Sequence, residues 1–170
     1  LWDMGYVIIA AAGNNGPEYG TVSIPGSSKK IITVGALDDN IKMIVNGRIT
    51  KNYSGRGPTK ECVQKPDILA PANGIYSCSN GIKSGYSYVP KSGTSMASPS
   101  VAGHAAIMRQ VVKERWPDLS GAELVKRINE LLMCTATVCG SGAPYSPRVQ
   151  GAGFANIRQA IRTTAYLSVD

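Results

Sequence analysis

Seven residues, Tyr6-Val7-Ile8-Ile9-Ala10-Ala11-Ala12, run apolar without a break until Gly13-Asn14-Asn15-Gly16-Pro17 ends them. A strand with one wet face alternates polar and apolar side chains. A run that is apolar on both faces fits an interior strand of a parallel sheet, covered on each side. Ile31-Ile32-Thr33-Val34-Gly35 predicts a second such strand, and Asp67-Ile68-Leu69-Ala70, closed by Pro71, a shorter third. Between them, Ile41 to Thr50 contains Asn46-Gly47, the strongest short signal for a β-hairpin.

Helical spacing takes over after residue 94. Val101, Ala105, Met108 and Val112 share one face of a helix expected over 95–116, and Pro117 stops it. Ser120-Gly121-Ala122-Glu123 reads as a capping box opening a second helix, with Leu124, Ile128, Leu131 and Leu132 on one side. Residues 140–153 read as loop, and a last helix follows Asn156 with Ile157, Ala160 and Ile161 inward. Strands first and long helices afterwards predict an α/β fold in layers: a mostly parallel central sheet flanked by helices.

Composition narrows the function classes. The chain has 170 residues, enough for one domain, and 43% hydrophobic against 17% charged content belongs to a folded protein. The formal net charge is +7, but the basic residues are scattered and there is one Phe to stack on a base, so nucleic acid is not an expected partner. No apolar run is long enough to span a membrane, and no signal peptide is visible. Cys62, Cys78, Cys134 and Cys139 lack zinc-site spacing; buried free thiols and the disulfides of a secreted protein both fit them. Leu1-Trp2-Asp3-Met4-Gly5 reads as a helix tail running straight into a strand, so the chain is expected to begin inside a domain.

Chemistry concentrates in Lys91-Ser92-Gly93-Thr94-Ser95-Met96-Ala97-Ser98-Pro99-Ser100-Val101-Ala102-Gly103. Gly93 allows a sharp bend, and small neighbours leave room around Ser95. A helix start supplies free N–H groups and partial positive charge, which favour an oxyanion beside a nucleophilic serine. Read locally, Ser95 or Thr94 is more simply a helix cap. Asn14, read locally, is a turn residue.

The segment "GTSMASPSVAG" resembles the active-site serine motif of the subtilisin-like serine peptidases. "VIIAAAGNNG" resembles that family's strand and oxyanion-hole turn. "TVSIPGSSKKIITVGA", "YSGRGPTKECVQKPDILAP" and "VQGAGFANIRQAI" resemble further family segments, in family order and over nearly the whole chain. The resemblance implies that the 170 residues are the C-terminal portion of one such catalytic domain, with a three-layer fold incomplete in this chain. It makes Ser95 the nucleophile and Asn14 the oxyanion donor, with Thr94 a weaker, longer-range contributor. Ala11, Ala12 and Gly13 would wall the substrate pocket, with Ser23 at its floor and Ser92 beside it. Ser23 stands where the family often has Gly, which implies a shallower pocket for small or medium side chains. Ile24-Pro25 matches a family cis peptide.

The same resemblance implies a weak cation site at Asp67, with backbone carbonyls near Gly26, Ser28 and Ile31. Structural Ca²⁺ is therefore possible, although one carboxylate serves such an ion poorly and an Asp that holds a loop before a short strand fits better. No cofactor is required for the reaction. Secretion is implied by the family's habits and by the cysteines, not by any visible signal.

The match breaks at the base. The family's triad runs Asp, His, Ser. Here the one histidine, His104, lies nine positions beyond Ser95 on the same expected helix, about 13 Å along its axis at 1.5 Å per residue. His104 is thus expected to be structural. The Asp and His motifs are expected on a separate N-terminal fragment of the same domain, a partner chain alongside the peptide or protein substrate. The alternative is a catalytically inactive relative that binds peptides or assembles.

Overall fold

The computed structural model describes residues 1–45, 47–79 and 88–168. A short 3-10 helix, Trp2–Met4, leads into strand β1 (Ile9–Ala11). β2 (Ile32–Ala36) and β5 (Ile68–Ala70) complete a parallel sheet ordered β1-β2-β5, with Ile9 opposite Ile32 and Val34 opposite Ile68. The Asn-Gly hairpin forms as β3 (Met43–Val45) and β4 (Arg48–Thr50), paired antiparallel; Asn46, half of the expected turn, lies outside the described residues. A second ribbon, β6 (Ile75–Cys78) with β7 (Tyr88–Lys91), was not anticipated. Its side chains are mostly exposed, so no hydrophobic alternation marks it.

The central strand is β2, every residue of which is buried. The extent of the strand expected over 6–12 is corrected: Tyr6 is exposed and only Ile9–Ala11 is strand, half-buried at an edge of the described sheet. Among the described residues nothing pairs with its outer side.

Helix α1 (Thr94–Arg115) packs against all three strands through Val101, Ala105, Met108 and Val112, the stripe its spacing implies. α2 (Gly121–Cys134) buries Leu124, Val125, Ile128, Leu131 and Leu132 and packs on α1. Ser120 does precede α2, but its side chain makes no capping bond. Gly121 sits at φ 52°, outside helical geometry, so the first turn's N–H groups do not point back at the serine hydroxyl.

Two further corrections concern the C-terminal third. The expected loop contains a short helix, α3 (Pro147–Gln150), capped by Ser146, whose hydroxyl accepts from the Arg148 N–H. In α4 (Ile157–Arg162), Ala160 is buried and Ile157 packs on the core, whereas Ile161 faces outward. Cys62, Cys78 and Cys134 are exposed thiols and Cys139 is half-buried; none is paired, so neither of the two settings the sequence allowed, buried thiols or disulfides, is found. Among the described residues no helix is long and apolar enough to cross a membrane.

Candidate active site

Gly93 makes the turn into α1 with φ 141° and ψ 160°, a backbone state open to glycine and strained for any L side chain. Its N–H donates to the Ala72 carbonyl at 2.9 Å, which ties the turn to the loop after β5. Gly93 is also the cap residue of α1, and no side chain caps the helix. The capping alternative for Thr94 and Ser95 is therefore overturned: they are the first two residues of the helix itself. Thr94 is fully buried and Ser95 exposed. No acceptor among the described residues takes the Ser95 N–H.

The neighbouring N–H, that of Thr94, donates to Asn14 Oδ1 at 3.0 Å, and so does the Thr94 hydroxyl, at 3.0 Å. The same hydroxyl accepts the Gly13 N–H at 3.1 Å. Asn14 thus has its oxygen held from two sides. Its amide nitrogen finds no acceptor among the described residues and lies against Gly93, where an added Cβ would come within 3.2 Å of it. One arrangement brings the Asn14 amide and the free Ser95 N–H to the same helix start. The Thr94 hydroxyl proton is engaged by Asn14, so this side chain positions the amide.

The turn carrying Asn14 is held from below by residues 53–56. The Gly16 N–H donates to the Tyr53 carbonyl and the Gly55 N–H to the Gly13 carbonyl, each at 2.8 Å. Tyr53 is fully buried with its hydroxyl unpaired, and burial pushes its phenol well above the ordinary value. Asp39 accepts the Ser54 N–H at 3.1 Å and lies 3.8 Å from the Arg56 guanidinium; burial still holds its carboxyl above the usual range. Neither Tyr53 nor Asp39 stood out in the sequence. A tyrosine beside glycines and a surface-type Asp carry no local sign of burial.

Among the expected pocket residues, Ala11 and Gly13 are half-buried and Ser23 closes over Gly13, where a Cβ would collide with the Ser23 hydroxyl. That hydroxyl accepts from Asn15 Nδ2 at 3.1 Å. Ala12 is fully buried, with its carbonyl accepting the Ser23 N–H at 2.9 Å, so it backs the wall without facing a ligand. Ser92 Oγ accepts the Gly74 N–H at 3.0 Å. The Ile24–Pro25 peptide is cis. Asp67 accepts the Thr33 N–H and the Lys65 ammonium, each at 2.6 Å.

No described side chain hydrogen-bonds to the Ser95 hydroxyl, and His104 lies farther along α1, half-buried with Nδ1 unpaired. Desolvation lowers its pKa below the ordinary 6.5. The unfolded chain therefore binds this proton first as pH falls, so stability should drop below about pH 6.5 and level off once the folded-state pKa is passed. Thermal melts of the parent and of His104→Gln across that range should diverge at the acid end; parallel curves would refute the assignment.

The subtilase family model matches residues 3–153. Serine protease AprX of Bacillus subtilis (strain 168) is 37% identical over 94% of this chain and 36% of its own length. A subtilisin of Bacillus sp. (strain TA39) is 34% identical over 92% of this chain and 37% of its own. Among solved structures, the patellamide maturation protease PatA superposes with a TM-score of 0.66 at 29% identity, covering 91% of this chain and 50% of that one. The chain spans just over a third of the length of these two curated relatives.

Proposed function

The chain belongs to the subtilase family, and on that premise we propose that it supplies the nucleophile and oxyanion hole of a serine endopeptidase. The observation that carries the reading is the pairing of an exposed, uncapped Ser95 with an Asn14 amide turned to the same helix start. In this mechanism Ser95 Oγ attacks the scissile carbonyl while a histidine takes its proton. The carbonyl oxygen gains the negative charge and is stabilised by Asn14 Nδ2–H, the Ser95 N–H and the positive end of α1. The histidine then returns the proton to the leaving amine, and water, activated the same way, frees the acyl group from Ser95. Thr94 acts by holding Asn14. No redox or nucleotide cofactor takes part.

The histidine and its aspartate come, in this reading, from a polypeptide segment outside these 170 residues. Two features support that. His104 shares a helix with Ser95 and faces away along it. In addition, a groove of about 410 Å³ lies between Met4–Val7, Ile9 and α1 at Ala102, Ala106 and Arg109, alongside the edge of β1 that no described strand pairs. An apolar edge of that kind calls for a covering layer. Ser23 over Gly13 favours small or medium side chains before the cleaved bond, and an extracellular setting fits the family resemblance.

The test is a fluorophosphonate probe. Ser95 should be labelled in the assembly that contains the Asp and His motifs, and labelling should disappear without them. An intact assembly that takes no label would leave the second reading, an inactive peptide-binding relative.

A further inference from the structure

Lys65 is the one charged side chain among the described residues that is fully buried, with 1% of its surface exposed. An ammonium group taken out of water must find compensating oxygens. Lys65 Nζ has two at 2.6 Å: the Ile31 carbonyl and Asp67 Oδ2. Asp67 Oδ2 also accepts the Thr33 N–H at 2.6 Å, so one carboxylate oxygen joins β2 to the lysine. The loop before β2 closes on itself, with the Thr33 hydroxyl donating to the Gly26 carbonyl and the Ser28 N–H to the Pro25 carbonyl. That loop carries Ser23 at its start.

These oxygens are the ones the family resemblance would give to a weak structural cation. The residues present do not fit a divalent ion. Calcium takes six to eight oxygens at 2.3–2.6 Å. Here the lysine head already stands against the carboxylate and the Ile31 carbonyl at a metal-like distance, and the Gly26 carbonyl is engaged by Thr33.

We propose that the Lys65 ammonium is a tethered cation that replaces a metal ion in the loop walling the substrate pocket. Being covalently attached, it is present at any calcium or sodium concentration, and the loop keeps its shape in chelator. The cost is specific. Removing the lysine leaves the half-buried Asp67 carboxylate unpaired beside an open carbonyl, which is a site for a mobile cation.

The experiment follows the thermal unfolding midpoint of the assembled protein in chelator and in excess calcium, sodium or methylammonium. Lys65→Ala should lower the midpoint by about 6–20 °C in chelator. Added cation should then restore part of that loss, beyond any shift it produces in the parent. The double variant Lys65→Ala/Asp67→Asn should melt above the single variant and lose the extra response. A single variant whose cation response equals the parent's overturns the proposal. Asp67→Asn in the parent gives an independent reading. If it abolishes a calcium-dependent rise in the parent's midpoint, a metal binds there and the proposal falls; an unchanged response supports it. These readouts do not depend on activity, so they stand apart from the fate of the peptidase reading.

Discussion

Replacing Ser95 by Ala in the completed enzyme should reduce kcat on the order of 10⁶-fold, the loss that subtilisin itself shows when its nucleophile is removed. The fold should be untouched. Ser95 is exposed, its hydroxyl holds no described partner, and it does not cap α1, so Ala at that helical position removes no native bond. Initial rates on a chromogenic peptide and a thermal melt check the two halves together. Activity within tenfold of the parent would place the nucleophile elsewhere. A large fall in melting temperature would mean that Ser95 has a structural role the geometry does not show. Residual cleavage above the water rate is expected, because the oxyanion donors remain.

The second large effect is at Asn14, and two substitutions separate its roles. Asn14 Oδ1 accepts both the N–H and the hydroxyl of the fully buried Thr94. Asn14→Ala leaves those donors unpaired and should cost about 1–3 kcal/mol of stability. It also removes the amide donor, which should lower kcat by about 10²–10³ with little change in KM, a loss of about 2.7–4 kcal/mol taken from the equivalent change in subtilisin. Asn14→Asp keeps an acceptor for Thr94 but offers no donor and places a negative charge beside the developing oxyanion. It should melt near the parent and still lose at least as much kcat. Were Asn14→Asp as active as the parent, the amide would have no part in the chemistry.

Much of the proposed site was legible because several of its residues are neighbours in the chain. Gly93, Thr94 and Ser95 are adjacent, and a glycine turn feeding an apolar helical stripe is visible from spacing alone. Asn14 was legible for a related reason: a polar residue directly after an apolar run needs an explanation, and the family resemblance offered one. What spacing left open was whether Thr94 or Ser95 caps the helix. The answer depends on Gly93 taking a backbone state that puts the cap one residue earlier, and on a side chain eighty positions away accepting the Thr94 N–H.

The misreadings have a common cause. Tyr6 to Ala12 is as apolar as a central strand, yet only Ile9–Ala11 forms one, since strand length is set by what a segment pairs with and the chain cannot state its neighbours. Ser120 and Glu123 have the right spacing for a capping box, but Gly121 turns the first helical residue out of register. Lys65 is one of the scattered basic residues with no local sign of burial, and it is a buried cation because the Ile31 carbonyl before β2 and Asp67 meet at its head group.

The amino-acid order alone thus determined the layered α/β class, the helical stripe of α1 and the hairpin. Each of these follows from residue type and short-range periodicity. Tertiary structure alone decided which strand is central, which way the Asn14 amide points and where the one fully buried charge among the described residues lies. Those outcomes are set by contacts between segments far apart in the chain, where desolvation and hydrogen-bond pairing act on groups that have no knowledge of each other in the linear sequence.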